Sequence, residues 1–328
     1  MKVGKQSIKD MREDKYRHQR GKGFKVALAL GGGGVRGFAH IGVIKVLKTY
    51  SVPIDLIVGT SMGAIVGAVF CLNPDVNTLE QKMLETTDHP QIKRLESFFA
   101  KTSEENQKKF LIQKLLSRIK NLYLWNLQAA KKWIMRTEPI VEVLRELFEN
   151  KNFSDVQIPF ACIAVDLNTA SNIIIQKGKI LEAILASSSI PGIFAPVKRD
   201  NQLLSDGGIL SGVPAKQARI LGADFVIGVD LAPRYSVKEG LTGLDVIFQA
   251  DWIKSCHLNK LNLKYCDWVI KPEVTDLTWP AFSQGSFCIN QGELEALKNI
   301  EKIKLDLIKK RRFYFLKRLL LKRSRYVD

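Results

Sequence analysis

The sequence predicts an α/β fold of three layers, α/β/α, with a mainly parallel sheet in the centre. Three observations predict it. Residues 24–72 read as strand, glycine loop, helix, strand, tight turn and helix within ~50 residues, and that alternation builds parallel strands joined by crossover helices. Further apolar runs at 159–167 (PFACIAVDL) and 224–231 (DFVIGVDL) have the length and composition of buried strands. The chain has 328 residues, 46% of them hydrophobic. That suits one large domain with appendages and is too apolar for a disordered chain.

Taken in order, residues 1–23 are polar and charged without an apolar period, which predicts a tail or a frayed helix. Residues 24–30 (FKVALAL) form a strand that runs into Gly31-Gly32-Gly33-Gly34-Val35-Arg36-Gly37. A buried helix follows over 38–50, then a strand over 54–58, a tight turn and an apolar helix over 62–72. Residues 75–150 are rich in Lys, Glu, Gln and Leu and read as a helical insertion over one edge of the sheet. Within it, Phe110, Leu111, Leu115, Ile119, Leu122, Leu127 and Ile134 recur at roughly helical spacing. Thr137 and Pro139 mark another helix start, running to about 149. A packing role for this insertion outweighs a lid.

Beyond the strand at 159–167, residues 171–175 read as a strand and 181–187 as a helix. Residues 202–205 form a short strand that ends in Asp206-Gly207-Gly208. A helix over 214–221 closes at Gly222, a helix covers 241–266, and 267–271 supplies a last strand. Residues 290–325 make one long helix with a basic end. The expected organisation is a basic tail (1–24), a catalytic domain (25–300) and a basic amphipathic extension (301–328).

The net charge of +17 sits at the ends. Residues 1–25 hold nine Lys and Arg against three acids, and residues 302–328 hold eleven against two, leaving the middle nearly neutral. Such ends favour an anionic partner, nucleic acid or acidic lipid. Aliphatic residues among the C-terminal cations favour lipid over nucleic acid. Five scattered cysteines without a C-x-x-C pair predict reduced core thiols and a cytoplasmic protein. No apolar run approaches the ~18 residues of a membrane span, and residues 1–25 lack the apolar stretch of an ordinary secretory signal.

The chemistry centres on Gly59-Thr60-Ser61-Met62-Gly63, a G-x-S-x-G between strand and helix, the pattern of a nucleophile elbow. Its glycines allow a turn that a Cβ would block. The turn lifts the Ser61 hydroxyl onto a helix start, where N–H groups and the helix dipole favour negative charge. A serine nucleophile needs a base, and its tetrahedral intermediate needs N–H donors. Gly33 and Gly34 lie in a strand-to-helix loop able to present such donors, and Arg36 adds a positive charge. The base is a carboxylate or a histidine. Gly32-x-Gly34-x-x-Gly37 also fits a dinucleotide loop, but that reading wants an acid at the end of the second strand, and Asp55 precedes it. Asp166, Asp224 and Asp230, near strand ends, read as structural.

Three ordered motifs, Gly32-Gly33-Gly34-Val35-Arg36-Gly37, Gly59-Thr60-Ser61-Met62-Gly63 and Asp206-Gly207-Gly208, together resemble the patatin-like phospholipase family. The stretch 186–194 (ASSSIPGIF) is similar to the segment that family carries before its Asp-Gly-Gly. The resemblance covers about residues 25–75 and 159–232 and neither basic end. It implies the patatin-like fold and lipid acyl hydrolysis by a Ser-Asp dyad. Ser61 would be the nucleophile, Asp206 the base, and Gly33 and Gly34 with Arg36 the oxyanion site, with no metal or other cofactor. Two alternatives stand beside it: an esterase with a Ser-His-Asp triad using His257, and a non-catalytic membrane-surface protein of the same fold. The basic, apolar 309–323 stretch is expected to meet an anionic membrane.

Overall fold

Strands covered on both faces are built from small and branched apolar residues, and the central ones here are buried at every position. The structure, a computed structural model, describes residues 23–108, 135–233 and 243–323. The strands are β1 (Val26–Leu30), β2 (Leu56–Thr60), β3 (Phe160–Asp166), β4 (Ser171–Ile175), β5 (Val197–Arg199), β6 (Gln202–Asp206), β7 (Phe225–Val229) and β8 (Trp268–Ile270). They form one sheet in the order β5-β6-β3-β2-β1-β7-β8, with β4 also on β3. From β3 to β8 all neighbours are parallel. The β3–β4, β3–β6 and β5–β6 pairs are antiparallel.

Nine helices accompany the sheet among the described residues: α1 (Ala39–Thr49), α2 (Met62–Leu72), α3 (Val76–Asp88), α4 (Pro90–Lys108), α5 (Glu138–Phe148), α6 (Ile180–Ser187), α7 (Ala215–Ile220), α8 (Gly243–Leu263) and α9 (Gly285–Arg323). Alternate strand residues face opposite ways, and the core divides accordingly. Leu28, Leu30 and Ile57 pack with Ile44 of α1, Val66 of α2 and Ile300 of α9. Ala27, Ala29 and Val58 pack with Ala215 and Ala218 of α7. Helices thus cover both faces, and the three layers are those the sequence predicts.

Some details differ from the sequence reading. The glycine loop leads into a short 3-10 turn, Gly34–Phe38, before α1 begins. β5 has no counterpart in the reading, because three half-exposed residues ending on Arg199 carry no apolar alternation. α9 starts five residues early, at Gly285, and passes positions 300 and 301 without interruption, with Ile300, Ile303 and Leu307 in one core. Residues 1–22 of the expected N-terminal tail (1–24) and the apolar pattern of the insertion, within 109–134, lie outside the described residues.

The pairing of α1 with α9 rests on a close crossing. A Cβ at Gly42 would strike the Ile289 carbonyl oxygen and the Glu293 amide, and one at Gly292 would strike the Ala39 carbonyl oxygen. Lys45 and Glu293 close the same seam with an ion pair at 3.0 Å. Gly42→Leu is therefore expected to force the helices apart. Overpacking of this kind costs about 1–3 kcal/mol, or several degrees of Tm in a domain this size. A calorimetric Tm within 1 °C of wild type would show that the crossing is not tight.

Candidate active site

β2 and β6 approach the same edge of β3 from opposite directions. Residues 164–166 of β3 carry β4 on one edge and β6 on the other, while residues 162 and 163 carry β4 and β2. The last pair of β2 is Thr60 with Ile163, and the last pair of β6 is Asp206 with Ala164. The two strand ends therefore meet head to head, one residue apart along β3, or ~3.3 Å of rise. Ser61 follows the first end and Asp206 closes the second, although 145 positions separate them.

Ser61 caps α2 with φ 52° and ψ −124°, a left-handed backbone on a non-glycine residue. Such a conformation costs about 1–3 kcal/mol and persists only where its surroundings hold it. Gly59 and Gly63 allow it: a Cβ on Gly63 would meet the Leu30 carbonyl, and one on Gly59 would meet the Ala64 backbone. The Ser61 carbonyl accepts from the Ala64 and Ile65 amides at 2.8 and 3.1 Å, which starts α2. Its own N–H donates to Ser187 Oγ at 3.0 Å, and Ser187 Oγ donates on to the Ile163 carbonyl at 2.7 Å. Thr60 Oγ1 donates to the Ser211 carbonyl at 3.0 Å, which ties the elbow to the turn after Asp206.

Asp206 is buried. Its Oδ1 accepts from the Gly208 amide at 2.7 Å, and its N–H donates to the Ser189 carbonyl at 3.0 Å. Burial pushes its pKa up to about 6, against the opposing pull of the Gly208 amide and of a hydrogen bond from the Ser61 side chain. A carboxylate with that pKa is ionised at neutral pH yet a better proton acceptor than a free one. The Asp-Gly-Gly motif thus supplies both the acid and the amide that orients it.

The glycine loop lies alongside. Gly31 donates to Val229 O, Gly32 to Gly212 O and Val35 to Trp279 O. Between them, Gly33 and Gly34 have no backbone acceptor among the described residues. Arg36 Nε donates to the Gly33 carbonyl at 3.0 Å. In a trans peptide the next N–H points the other way, so this bond fixes the direction of the Gly34 N–H. Arg36 is only 8% exposed, and its Nη1 has no partner among the described residues. Burial lowers its pKa to about 10, which leaves it charged at neutral pH.

His40, fully buried on α1, holds the start of the loop through Nε2, which donates to the Gly31 carbonyl at 2.7 Å. Burial lowers its pKa to about 4, so it is neutral at working pH. No described histidine lines a cavity with Ser61. His257 is exposed on α8, and His89 pairs with Glu142 and Glu146. Asp166, Asp224 and Asp230 are each tied to backbone or side-chain amides.

Ser61 stands where two cavities meet. One, of about 620 Å3, holds Gly31–Gly34, Arg36, Asp206 and Asp230 with Trp252 and Trp279. The other, of about 90 Å3, is almost wholly apolar: Ile65, Met83, Leu95, Val143, Leu144 and Phe282 line it, with residues from α2, α3, α4 and α5. The helices read as a packing insertion therefore wall a pocket that starts at Ser61.

Sequence reasoning assigned no role to the serine run 187–189. Ser187 clamps the elbow and the Ser189 carbonyl holds both the Asp206 N–H and Ser205 Oγ. Ser188 Oγ is buried at the apolar pocket without a partner among the described residues. Three polar residues at the end of an apolar helix were the available signal. The role of His40 left none, since one histidine in an apolar helix looks like core.

A sequence model of the patatin-like phospholipase family matches residues 28–219, more than half of the chain. An uncharacterized NTE family protein of Mycobacterium tuberculosis is 34% identical over 207 residues, covering 63% of this chain and 49% of its own. Patatin-like phospholipase domain-containing protein 6 of Homo sapiens is 28% identical over 220 residues, covering 64% of this chain and 13% of its own. The chain thus matches about half the length of the mycobacterial relative and far less of the human one. VipD from Legionella pneumophila, a solved structure, aligns over 86% of this chain and 67% of its own at 16% identity and a TM-score of 0.43.

Ser187→Ala leaves the part-buried Ser61 N–H and the buried Ile163 carbonyl each short of a partner. The expected loss is about 1–3 kcal/mol of stability, read as a lower denaturant midpoint at unchanged slope. An unchanged midpoint would show that the clamp contributes nothing.

Proposed function

Because the chain belongs to the patatin-like phospholipase family, we propose that it is a lipid acyl hydrolase working through Ser61 and Asp206. One observation carries the reading. A strained serine and a buried carboxylate of raised pKa share a cleft with unpaired glycine amides, at the mouth of an apolar pocket. Polar machinery on one side of the nucleophile and apolar space on the other suit an ester with a polar leaving group and a fatty acyl chain.

In the proposed reaction the ester carbonyl sits over Ser61, its acyl chain in the apolar pocket and its leaving group in the wider cleft. Asp206 takes the Ser61 proton as Oγ attacks the carbonyl carbon. Electrons shift to the carbonyl oxygen, which the Gly33 and Gly34 N–H groups receive beside the charge of Arg36. One such donor is typically worth about 3–4 kcal/mol of barrier. Collapse breaks the ester bond, and Asp206 returns the proton to the departing oxygen. Water, deprotonated by the same carboxylate, then attacks the acyl-Ser61 carbonyl carbon; the bond to Ser61 Oγ breaks, Asp206 returns the proton to Oγ, and the fatty acid is released. Raising the base from ~4 to about 6 makes proton transfer from serine less uphill by roughly 3 kcal/mol.

Fatty-acid release from a lipid panel tests this. Ser61→Ala and Asp206→Asn are each expected to lose activity by about a thousandfold or more, while His257→Ala keeps it. Collapse of the His257 variant with survival of Asp206→Asn would favour the triad instead. The base must be ionised, so kcat/KM should be level above pH 6 and fall about tenfold per pH unit below it. An acid limb centred near pH 4 would remove Asp206, as it stands here, from the role of base.

A further inference from the structure

α9 has two apolar faces, and among the described residues only one is covered. Ile289, Ala296, Ile300, Ile303 and Leu307 turn inward to the core. On the opposite side Leu294, Leu297, Leu305, Ile308, Leu316 and Leu319 form a second stripe at helical spacing. From Leu294 to Leu319 it runs ~38 Å at 1.5 Å per residue. Leu305, Leu316 and Leu319 are 57%, 58% and 63% exposed. The sequence composition alone left room for a helix whose apolar residues all faced inward; the burial pattern assigns this set to solvent.

The charges beside the stripe select its occupant. Residues 307–327 contain nine Lys and Arg and no Asp or Glu. Exposed Lys302 and Lys309 border the stripe on one side and Arg311 on the other, with Arg312 inside it; Glu301, also inside it near its N-terminal end, is paired with Lys304. A second copy of the chain laid parallel along this face would bring the cationic 309–323 stretches together, which costs association energy; an antiparallel copy is decided by the dimer outcome of the test below. A nucleic acid would leave the aliphatic residues without stacking partners. An acidic bilayer satisfies both sets at once. The leucines enter the headgroup boundary, and the long cationic side chains reach from its flanks to phosphate. α9 begins just after Trp279 and Phe282, which line the apolar pocket, so the helix links a membrane surface to the wall of the site.

We propose that the solvent face of α9, centred on Leu305, Ile308, Leu316 and Leu319, is the surface by which this protein docks on anionic membranes. The proposal rests on the reading of the site as a lipid hydrolase only for its purpose; the binding needs no catalysis. Each cation near an acidic surface adds about 1 kcal/mol of attraction, and the stripe adds apolar burial.

Flotation of the full chain with phosphatidylserine-containing and with pure phosphatidylcholine vesicles tests it. The expected result is binding to the anionic vesicles, weakened at least tenfold by Leu305→Asp with Leu316→Asp, and unchanged in Ser61→Ala. These sites are exposed, so the double variant should fold, as its circular dichroism and its hydrolysis of a soluble short-chain ester would verify. That hydrolysis should match wild type, while hydrolysis of vesicle lipid should fall. Equal flotation of the double variant and wild type overturns the proposal. So does a wild-type dimer that the double variant converts to monomer with vesicle binding intact. Inactivity of every form on soluble ester, with the flotation pattern as expected, would instead strike the hydrolase reading alone.

Discussion

Everything at the site depends on a shared edge. β2 runs along β3 as far as Ile163 and then turns away at Ser61; β6 arrives antiparallel and takes over from Ala164. The hydrogen-bonding groups of β3 would be left open where β2 departs, and buried open backbone groups are costly. A strand entering from the far side satisfies them and ends on Asp206, beside the elbow. The pairing demand of one strand thus brings together a serine and a carboxylate far apart in sequence. Ser187 and Ser189, on the neighbouring helix end, lock the two arrivals in place.

The electrostatics follow from this placement. Closing the strand ends against each other buries Asp206 and raises its pKa, while the Gly208 amide keeps it ionisable. The same closure presses the glycine loop against the elbow, where Arg36 and His40 hold two of its carbonyls. Amides held by fixed partners need no reorganisation when negative charge arrives, which is the condition under which such donors lower a barrier most. The strain at Ser61 is tolerable because α2 begins from its carbonyl and β3 holds its amide through Ser187.

Away from the sheet, helices supply two apolar surfaces. α3, α4 and α5 enclose apolar space next to Ser61. α9 packs one face on α1 and turns another, apolar and flanked by cations, to solvent. No described helix is long and apolar enough to cross a membrane, and the proposed contact lies along a surface.

The sequence by itself determined the layers and the elbow, and singled out Ser61 and Asp206 as candidates that the fold brings to one cleft. Buried strands and glycine turns are local: Gly59 and Gly63 are needed wherever that turn is made, and β1, β2, β3 and β7 announce themselves by unbroken apolar residues. Tertiary structure decided what those residues face. The antiparallel entry of β6, the pocket walled by α3 to α5 and the work of Ser187, Ser189 and His40 are contacts between distant segments, and no periodicity encodes a contact. The same holds for α9, which the sequence specified only as one long helix with a basic end, while packing against α1, through Gly42 and Gly292, settled which of its apolar residues remained open to solvent.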